Sequence, residues 1–460
     1  MAGMRPILLR LAVLTGIARC FAGSGDAPVR PPNFVIVLAD DLGYGDLGCY
    51  GNPDIRTPHL DALAAGGLRF TDFHASGPVC SPTRAGLLTG RYQQRAGIPG
   101  VINASPDVNR HHGLQSGEVT FAELLAGKGY RTGICGKWHL GYEPRYNPVT
   151  QGFGSFHGYV SGNIDYHSHV DRMGVPDWWN GPELQPESGY STHLITRHAL
   201  DFLEASDARP FCLYVAYEAP HDPYQGPNDP PLRRSGEVTP LRYAPGQIER
   251  AYREMVEEMD AGIGRIVTAI QTGASATNTL VFFCSDNGAT PRGRNGGLRG
   301  FKGSLWEGGH RVPAIAWWPG RIAPGRTTDA TAISLDVMPA LLELAGLPAP
   351  TDRPLDGVSL TSLLFGRGPA PVRRLFWEYG AQGAVREGDW KLMIEKPRAT
   401  GVAAEPGRLR LFNLAEDRGE ARDLADRFPE RTAALRTAWE RWAAEVARDA
   451  TLQPQRPSGE

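Results

Sequence analysis

The chain has 460 residues, which excludes a peptide or a single small module and suits a large domain with an appendage, or two to three domains. Hydrophobic residues make up 41% and aromatic residues 9%, so a disordered chain is excluded. The formal net charge of −2 gives no overall field that would favour nucleic acid as a partner. Glycine and proline exceed their ordinary share of roughly 12%, and we expect the excess in loops on a packed scaffold.

The N-terminal 22 residues are typical of a secretory signal peptide. Arg5 lies in a short basic start, residues 8–18 are largely apolar, and a small-x-small pattern ends at Ala22. This pattern predicts a secreted or periplasmic protein. No later segment has ~18 uninterrupted apolar residues, so no membrane span is predicted. The six cysteines lack CxxC spacing and are too few for a disulfide scaffold.

Short apolar runs alternate with helical patterns from residue 33 onwards. The predicted elements, in chain order, are a strand at Asn33–Ala39, a helix at Pro58–Ala65 with Thr57 as N-cap, a helix at 120–127, strands at 130–135 and 211–217, a helix at 248–270, and strands at 279–284 and 312–318. Continuous apolar strands of this kind are buried on both faces. Residues 31–370 are therefore predicted to form an α/β domain, a large mostly parallel sheet sandwiched by helices.

The pattern changes after about residue 370. Short segments at 374–379, 383–387, 390–395 and 408–412 indicate antiparallel strands, and residues 429–446 indicate a helix. The apolar positions of this helix suit packing on a small sheet. We therefore predict a C-terminal α+β subdomain with an antiparallel sheet over residues 371–460.

Polar residues directly follow two of the predicted buried strands. Asp40 and Asp41 end the first strand, and Asp286 and Asn287 follow the strand at 279–284. Taken alone, an Asp-Asp pair is usually a solvated turn and Asp-Asn-Gly is usually a turn signal. Because open α/β sheets place their sites at the carboxyl ends of strands, the two pairs are expected to converge. Three carboxylates and an amide oxygen suit Ca²⁺ or Mg²⁺ rather than zinc.

A cysteine and an arginine stand four residues apart in Cys80-Ser-Pro-Thr-Arg84, which opens a helical run over residues 85–90. This spacing puts a sulfur and a guanidinium at a helix N-terminus, an end that favours anions. A tyrosine-phosphatase loop is excluded because it needs the two residues six apart. An isolated cysteine is more often an inert buried thiol.

These segments resemble the type I sulfatases, the formylglycine-dependent branch of the alkaline phosphatase superfamily that includes arylsulfatases and N-acetylgalactosamine-6-sulfatase. The segment from Cys80 to Arg91 looks like the first signature of the family, and residues 136–141 look like the second. Five more segments fall where the family keeps its metal ligands, its other substrate contacts and its C-terminal motif: Asp40-Asp41, Asp286-Asn287, Pro220-His221, Phe301-Lys302, and residues 411–417 with Glu420.

The resemblance implies a mechanism and a set of roles. Cys80 would be oxidised to formylglycine by a separate maturation enzyme, and the hydrated aldehyde would attack sulfur with one divalent cation, Ca²⁺, bound. The implied metal ligands are Asp40, Asp41, residue 80, Asp286 and Asn287. The implied catalytic side chains are Arg84 on the hydrate, Lys137 and Lys302 on sulfate oxygens, His139 as proton acceptor, and His221, with Lys302, as proton donor to the leaving oxygen.

A segment rich in histidine and aromatic residues lies between residues 155 and 179. We expect it to line the substrate mouth, with Tyr166 and Trp178 stacking on a sugar or aryl group. Ser161 and His310 complete the expected substrate contacts. The alternative is a loop pinned by aromatic packing, with no role in binding.

Three functions remain open from the sequence. The first is hydrolysis of aryl or carbohydrate sulfate esters to an alcohol and inorganic sulfate. The second is hydrolysis of phosphate or phosphonate monoesters on the same fold, because fold alone does not decide chemistry. The third is a non-catalytic relative that binds sulfated glycans. The sequence does not identify the natural alcohol.

Overall fold

The computed structural model describes residues 30–205, 207–238, 240–369, 372–400, 403–405 and 407–455, and the predicted signal peptide lies outside them. The strands are β1 Asn33–Ala39, β2 Leu68–His74, β3 Arg131–Lys137, β4 Ser155–Tyr159, β5 Trp179–Asn180, β6 Glu183–Leu184, β7 Phe211–Ala216, β8 Thr279–Ser285, β9 Arg311–Trp317, β10 Arg326–Thr328, β11 Ala332–Ile333, β12 Arg374–Tyr379, β13 Gln382–Glu387, β14 Trp390–Glu395, β15 Arg398–Thr400, β16 Ala403–Glu405 and β17 Arg408–Asn413. The helices are α1 Pro58–Ala65, α2 Cys80–Thr89, α3 Phe121–Gly127, α4 Ser191–Glu204, α5 Gln247–Thr272, α6 Glu307–His310, α7 Val337–Leu344, α8 Thr361–Leu364 and α9 Pro429–Arg448.

A large mixed sheet has β1 near its centre. Its strand order is β10-β2-β9-β8-β1-β7-β3-β4-β5-β6, with β11 also paired to β2. The central strands β8, β1, β7, β3 and β4 run parallel, whereas β9 runs antiparallel to both β8 and β2. Because the central strands are parallel, their carboxyl ends share one edge of the sheet, which is where the site forms.

Both faces of the sheet are covered. All seven residues of β1 are buried, and alternate side chains enter two different cores. Phe34, Ile36 and Leu38 pack toward α2, α3, α7 and α8, and Val35 and Val37 pack toward α1, α4 and α5. Burial on both faces explains why the strand sequence is continuously apolar.

A second, antiparallel sheet lies toward the C-terminus, with strand order β12-β13-β14-β17. Helix α9 covers it, and Leu435, Trp439 and Trp442 of the helix join its core. Trp377 of β12 donates from Nε1 to the backbone oxygen of Ala75 at 2.9 Å, so this sheet packs directly against the large one.

The structure confirms the predicted α/β class with its small antiparallel sheet. Thr57 is the N-cap residue of α1, as predicted, but its side chain makes no capping hydrogen bond, because its hydroxyl donates to Asp61 and accepts from the Gly48 N–H. Thr120 instead forms a capping box with Glu123 at the start of α3. The division near residue 370 stays a prediction, because residues 31–460 form one compact unit. Among the described residues, no helix has the length and apolarity needed to cross a membrane.

Candidate active site

The carboxyl ends of four parallel strands deliver polar side chains to one place. Asp40 and Asp41 follow β1, and Asp286 and Asn287 follow the adjacent β8, whose Ser285 pairs with Ala39. All four of these polar residues are at most 1% exposed. The Asp41 backbone has a φ of 64°, a left-handed conformation that aspartate tolerates better than most residues. The two predicted pairs therefore meet, as the strand-end argument required.

Lysine and histidine reach the same place from β3 and β7. Lys137 is the last residue of β3, and His221 lies shortly after β7. Gly136 precedes Lys137 with a φ of 107°, and a Cβ there would lie 2.0 Å from the backbone oxygen of Ala216. Only glycine fits this close approach, so it allows β3 to bring Lys137 against the neighbouring strand.

Cys80 is the first residue of α2, and it points at the carboxylates. Its thiol lies 3.4 Å from Oδ1 of Asp40. Arg84, one turn later, is fully buried, and its guanidinium donates to the backbone oxygen of Lys137 and to Oδ2 of Asp286, both at 3.0 Å. The helix therefore holds Arg84 between two strand ends and places Cys80 beside them.

Each of the two site lysines is paired with one of the aspartates. Lys137 Nζ contacts Oδ2 of Asp40, and Lys302 Nζ lies 2.7 Å from Oδ1 of Asp41. Lys302 comes from a loop before α6, and its own N–H donates to the backbone oxygen of Ala289. Two of only five lysines in the chain thus lie within the site.

Burial and crowding shift the ionisation of these groups. Burial would raise the pKa of Asp40, but Lys137, His221 and Arg84 hold it well below its usual range. Burial and the charge of Asp40 raise the pKa of Asp286 to about 7. Burial and Asp40 likewise raise the pKa of the Cys80 thiol to about 12, so unmodified Cys80 is a neutral thiol and a poor nucleophile.

The two site histidines are oriented by backbone carbonyls. His139 Nε2 donates to the backbone oxygen of Ile102 at 2.9 Å, which leaves the buried Nδ1 without a partner among the described residues. Burial and the charge of Lys137 hold the pKa of His139 well below its usual range. His221 Nδ1 donates to the backbone oxygen of Asp222 at 2.6 Å, and its Nε2 lies 3.7 Å from Oδ2 of Asp41. His139 is thus a neutral base with a free lone pair.

The donor set fits a divalent cation. Single ligand atoms of Asp40, Asp41, Cys80 and His221 all lie within 4.8 Å of one another. Asn287 Nδ2 donates to Oδ1 of Asp41 at 2.8 Å, while its buried Oδ1 has no hydrogen-bond donor among the described residues. An orphaned amide oxygen beside crowded carboxylates is the ligand chemistry that Ca²⁺ and Mg²⁺ prefer.

The site opens into a cavity of about 510 Å³, whose wall includes Cys80, His139, His221 and Lys302. A cavity of this size accommodates a small ester or one end of a larger one. A larger cavity of about 870 Å³ lies near the start of β3, and its lining includes none of the predicted catalytic or metal-binding residues.

The expected substrate contacts do not lie at this cavity. Ser161, Tyr166 and His310 are at most 1% exposed, and none of them lines the cavity. The hydroxyl of Tyr166 donates to the backbone oxygen of His221, and His310 stacks on Trp377 beneath the C-terminal sheet. Trp178 is also buried, stacked on His169. The aromatic side chains thus pin the loop by packing, as in the alternative, whereas Asn163 and Arg172 of the same segment do line the cavity.

The cavity is also lined by residues that no sequence pattern singled out. They come from loops and have no periodic pattern: Asn103, Tyr142, Asn163, Arg172, Asp222 and Arg233. Asn163 and Arg172 belong to the segment expected at the substrate mouth, but the proximity of the whole set depends on long-range packing, which no local pattern indicates.

A model of the sulfatase family matches residues 32–347, and a model of the C-terminal region of N-sulphoglucosamine sulphohydrolase matches residues 301–433. The chain belongs to the sulfatase family. Human arylsulfatase A is 39% identical over 432 residues, which cover 85% of this chain and 78% of that protein. N-acetylgalactosamine-6-sulfatase of Mus musculus is 35% identical, covering 80% and 72%.

Solved structures agree with the family assignment. The crystal structure of Ps i-CgsB superposes with a TM-score of 0.79 at 28% identity, covering 93% of this chain and 94% of that one. This sulfatase therefore has the predicted fold, and hydrolysis of sulfate esters is the chemistry that its relatives support.

Proposed function

We propose that this sulfatase hydrolyses aryl or carbohydrate sulfate esters through formylglycine made from Cys80, with one divalent cation, Ca²⁺, held by Asp40, Asp41, residue 80, Asp286 and Asn287. The observation that carries the proposal is the position of Cys80 at the start of α2, between the carboxylates and the cavity. The bound cation supplies a Lewis acid that withdraws charge from the attacking oxygen and from the sulfate.

The hydrated aldehyde would supply two hydroxyls. One would attack sulfur as the bond from sulfur to the alcohol oxygen breaks, and the other would lose a proton so that sulfate leaves by elimination and the aldehyde is restored. Arg84 orients this group, because its guanidinium is fixed by the Lys137 carbonyl and Asp286. His139 accepts the proton of the second hydroxyl at Nδ1, the nitrogen left free by the bond from Nε2 to Ile102.

Lys137 and Lys302 bind the sulfate oxygens as compact cations. Three carboxylates and three cations surround the site, so their formal charges cancel, and a divalent cation would leave a net positive charge that suits an anionic ester. His221, which lines the cavity together with Lys302, donates a proton to the leaving alcohol.

The test is chemical analysis of Cys80 together with turnover. The full chain is produced in cells with and without a formylglycine-generating maturation enzyme, and the peptide containing residue 80 is examined by mass spectrometry. We expect the aldehyde only in the preparation made with the maturation enzyme. The rate of 4-nitrophenyl sulfate hydrolysis should be proportional to the fraction of chains that carry the aldehyde. Cys80→Ala is expected to lower kcat by at least about 10⁴-fold, because it removes the nucleophile.

Cys212→Ala is the matched control, because Cys212 is a buried thiol in β7 outside the site. Full activity with only thiol at residue 80 would contradict the mechanism. A much higher rate on 4-nitrophenyl phosphate would favour the phosphate or phosphonate alternative. Tight glycan binding without turnover by the converted protein would favour a non-catalytic relative.

Residues 1–22 support export to a secretory or periplasmic compartment. Fractionation of cells that produce the full chain tests this part of the proposal.

A further inference from the structure

Two arginines line the active-site cavity, and neither has a carboxylate partner. Arg172 is exposed on the loop after β4, and Arg233 is 5% exposed. Among the described residues, no carboxylate lies within 4 Å of either guanidinium, and the buried Glu218, on which the charge of Arg233 acts from farther away, has a pKa that burial raises well above its usual range. Most buried cations in this protein have such a partner, as Arg84 and Lys137 do.

The Arg233 guanidinium is held only by neutral acceptors. Its Nη1 lies 3.2 Å from the side-chain oxygen of Asn163 and 3.4 Å from the carbonyl oxygens of Asn163 and Val170. The Arg233 N–H donates to Asp165 Oδ2 at 2.9 Å, which anchors the backbone rather than neutralising the side chain. A desolvated cation without a counter-ion is unfavourable, so a bound anion would relieve this cost.

The loops that carry the two arginines pack on each other. The Gly236 N–H donates to the backbone oxygen of Gly174 at 2.8 Å, which ties the segment after Arg172 to the segment after Arg233. The cavity wall also contains the ammonium of Lys302 and the imidazole of His221. Asp222 contributes the single carboxylate among the residues that line it. Asp222 is itself engaged, 3.3 Å from Nδ1 of His221.

We propose that Arg172 and Arg233 form a second anion subsite, which binds a carboxylate or a second sulfate on the same molecule that carries the scissile sulfate. The inference rests on the proposed sulfate ester hydrolysis and names its substrate class. That class is an acidic sulfated oligosaccharide, with at least two anionic groups, rather than the sulfate ester of a neutral alcohol. Arginine suits this role because its planar guanidinium matches carboxylate and sulfate oxygens.

The experiment compares four substrates with the converted full chain. They are 4-nitrophenyl sulfate, a monosulfated N-acetylhexosamine, a disulfated hexosamine, and a monosulfated disaccharide that contains a uronate. We expect a lower KM for the two substrates with a second anion. Arg172→Gln should lower kcat/KM for these substrates, relative to 4-nitrophenyl sulfate, by roughly tenfold, mainly through KM.

The variants separate a specific contact from a general charge effect. Arg172→Lys should retain part of the kcat/KM that Arg172→Gln loses. Arg234→Gln is the control and should leave kcat/KM unchanged for all four substrates, because Arg234 is exposed and lies outside the cavity. The dianionic substrate that loses most in Arg172→Gln identifies the bound group as a carboxylate or a sulfate. Added salt should raise KM for the preferred substrate more steeply in the wild type than in Arg172→Gln.

An equal loss on all four substrates, or an equal effect of Arg234→Gln, would overturn the subsite. Equal kcat/KM values of the wild type for the two monoanionic and the two dianionic substrates would also overturn it. The proposed function fails separately, when converted protein cleaves none of the four sulfate esters.

Discussion

Two clusters of buried charged residues in this protein have similar compositions, but one lies at the candidate active site and the other holds two sheets together. The strand-end cluster lies at the carboxyl edge of the large sheet and comprises Asp40, Asp41, Cys80, Arg84, Lys137, Asp286, Asn287 and Lys302. The interlayer cluster lies between the large sheet and the C-terminal sheet and comprises Asp72, His74, Glu307, His310, Arg311, Arg386, Lys391 and Glu420. Each contains three carboxylates and three cations.

The clusters differ in access and in which groups they leave unpaired. The interlayer residues are at most 5% exposed, and Lys391 Nζ lies 2.9 Å from Glu307 and 3.1 Å from Nε2 of His310. Of the three possible metal ligands His74, Glu307 and His310, two are therefore already in contact with Lys391, and His74 is in contact with Arg386. The strand-end cluster opens to the cavity, and among the described residues its Asn287 Oδ1 has no hydrogen-bond donor. In the interlayer cluster Glu420 Oε1 also lacks a well-aligned hydrogen bond, but the Lys391 ammonium lies 2.9 Å from it. Access and an unmet acceptor, rather than ligand type, distinguish a site from a structural network.

Metal content gives the largest expected contrast between the clusters. We expect one divalent cation per chain, measured by elemental analysis of the purified protein. Its removal with a chelator should lower kcat by about a thousandfold or more, because the Lewis acid at the reacting oxygen is lost. Added Ca²⁺ should restore turnover.

The matched variants assign the ion to one cluster. Asn287→Ala should lose the ion, whereas His310→Gln should keep it. Two ions per chain, or loss of the ion in His310→Gln, would show that the interlayer cluster binds metal despite Lys391.

Part of the strand-end cluster could be predicted from local rules. Two strands end directly before Asp40 and Asp286, and parallel strands end at the same edge, so the convergence of these carboxylates follows from the apolar pattern. The site roles of Arg84, Lys137 and Lys302 were expected only from the family resemblance. His310 was misassigned because its partners Trp377 and Lys391 come from a sheet that begins more than sixty residues later. Arg172 lies in the segment expected at the substrate mouth but was not singled out, and Arg233 was missed, because only the packing of two loops brings them to one cavity.

Removal of one carboxylate from the interlayer cluster should affect stability more than catalysis. Glu307→Ala leaves Lys391 and Arg311, which lie 2.9 and 3.2 Å from its carboxylate, without that partner. We expect the free energy of unfolding, measured by urea denaturation, to fall by about 3 kcal/mol, the cost of an uncompensated buried charge. Turnover per folded molecule should stay close to wild type.

The control is Glu249→Ala, which removes a carboxylate that is 71% exposed and 3.9 Å from Arg292. An exposed pair contributes about 0–1 kcal/mol, so this variant should be nearly neutral. Equal stability of the two variants would contradict a structural role for the interlayer cluster.

The smallest expected effect is the pH dependence of the same cluster. Burial and the charge of Lys391 hold the pKa of His310 well below its usual range, and burial also lowers the pKa of His74. His74 contacts Asp72 and Arg386, His310 contacts Lys391 and lies 3.8 Å from Glu307, and the two Nδ1 atoms are 3.0 Å apart. They are neutral in the folded protein at a pH where an unfolded histidine, with a pKa of about 6.5, takes up a proton.

Because the unfolded chain then binds more protons, stability should fall as the pH drops below about 6.5, by at most about 1.4 kcal/mol per pH unit for each histidine. Buried carboxyls with raised pKa values, such as Asp46 at about 6, act in the opposite sense, so wild type and variant must be compared at each pH. His310→Gln should lose about 1 kcal/mol less than the wild type between pH 7 and pH 5.5, by urea denaturation. An equal fall in the free energy of unfolding of the two proteins would mean that His310 takes up its proton in the folded protein. The interlayer cluster would then be accessible to water and protons.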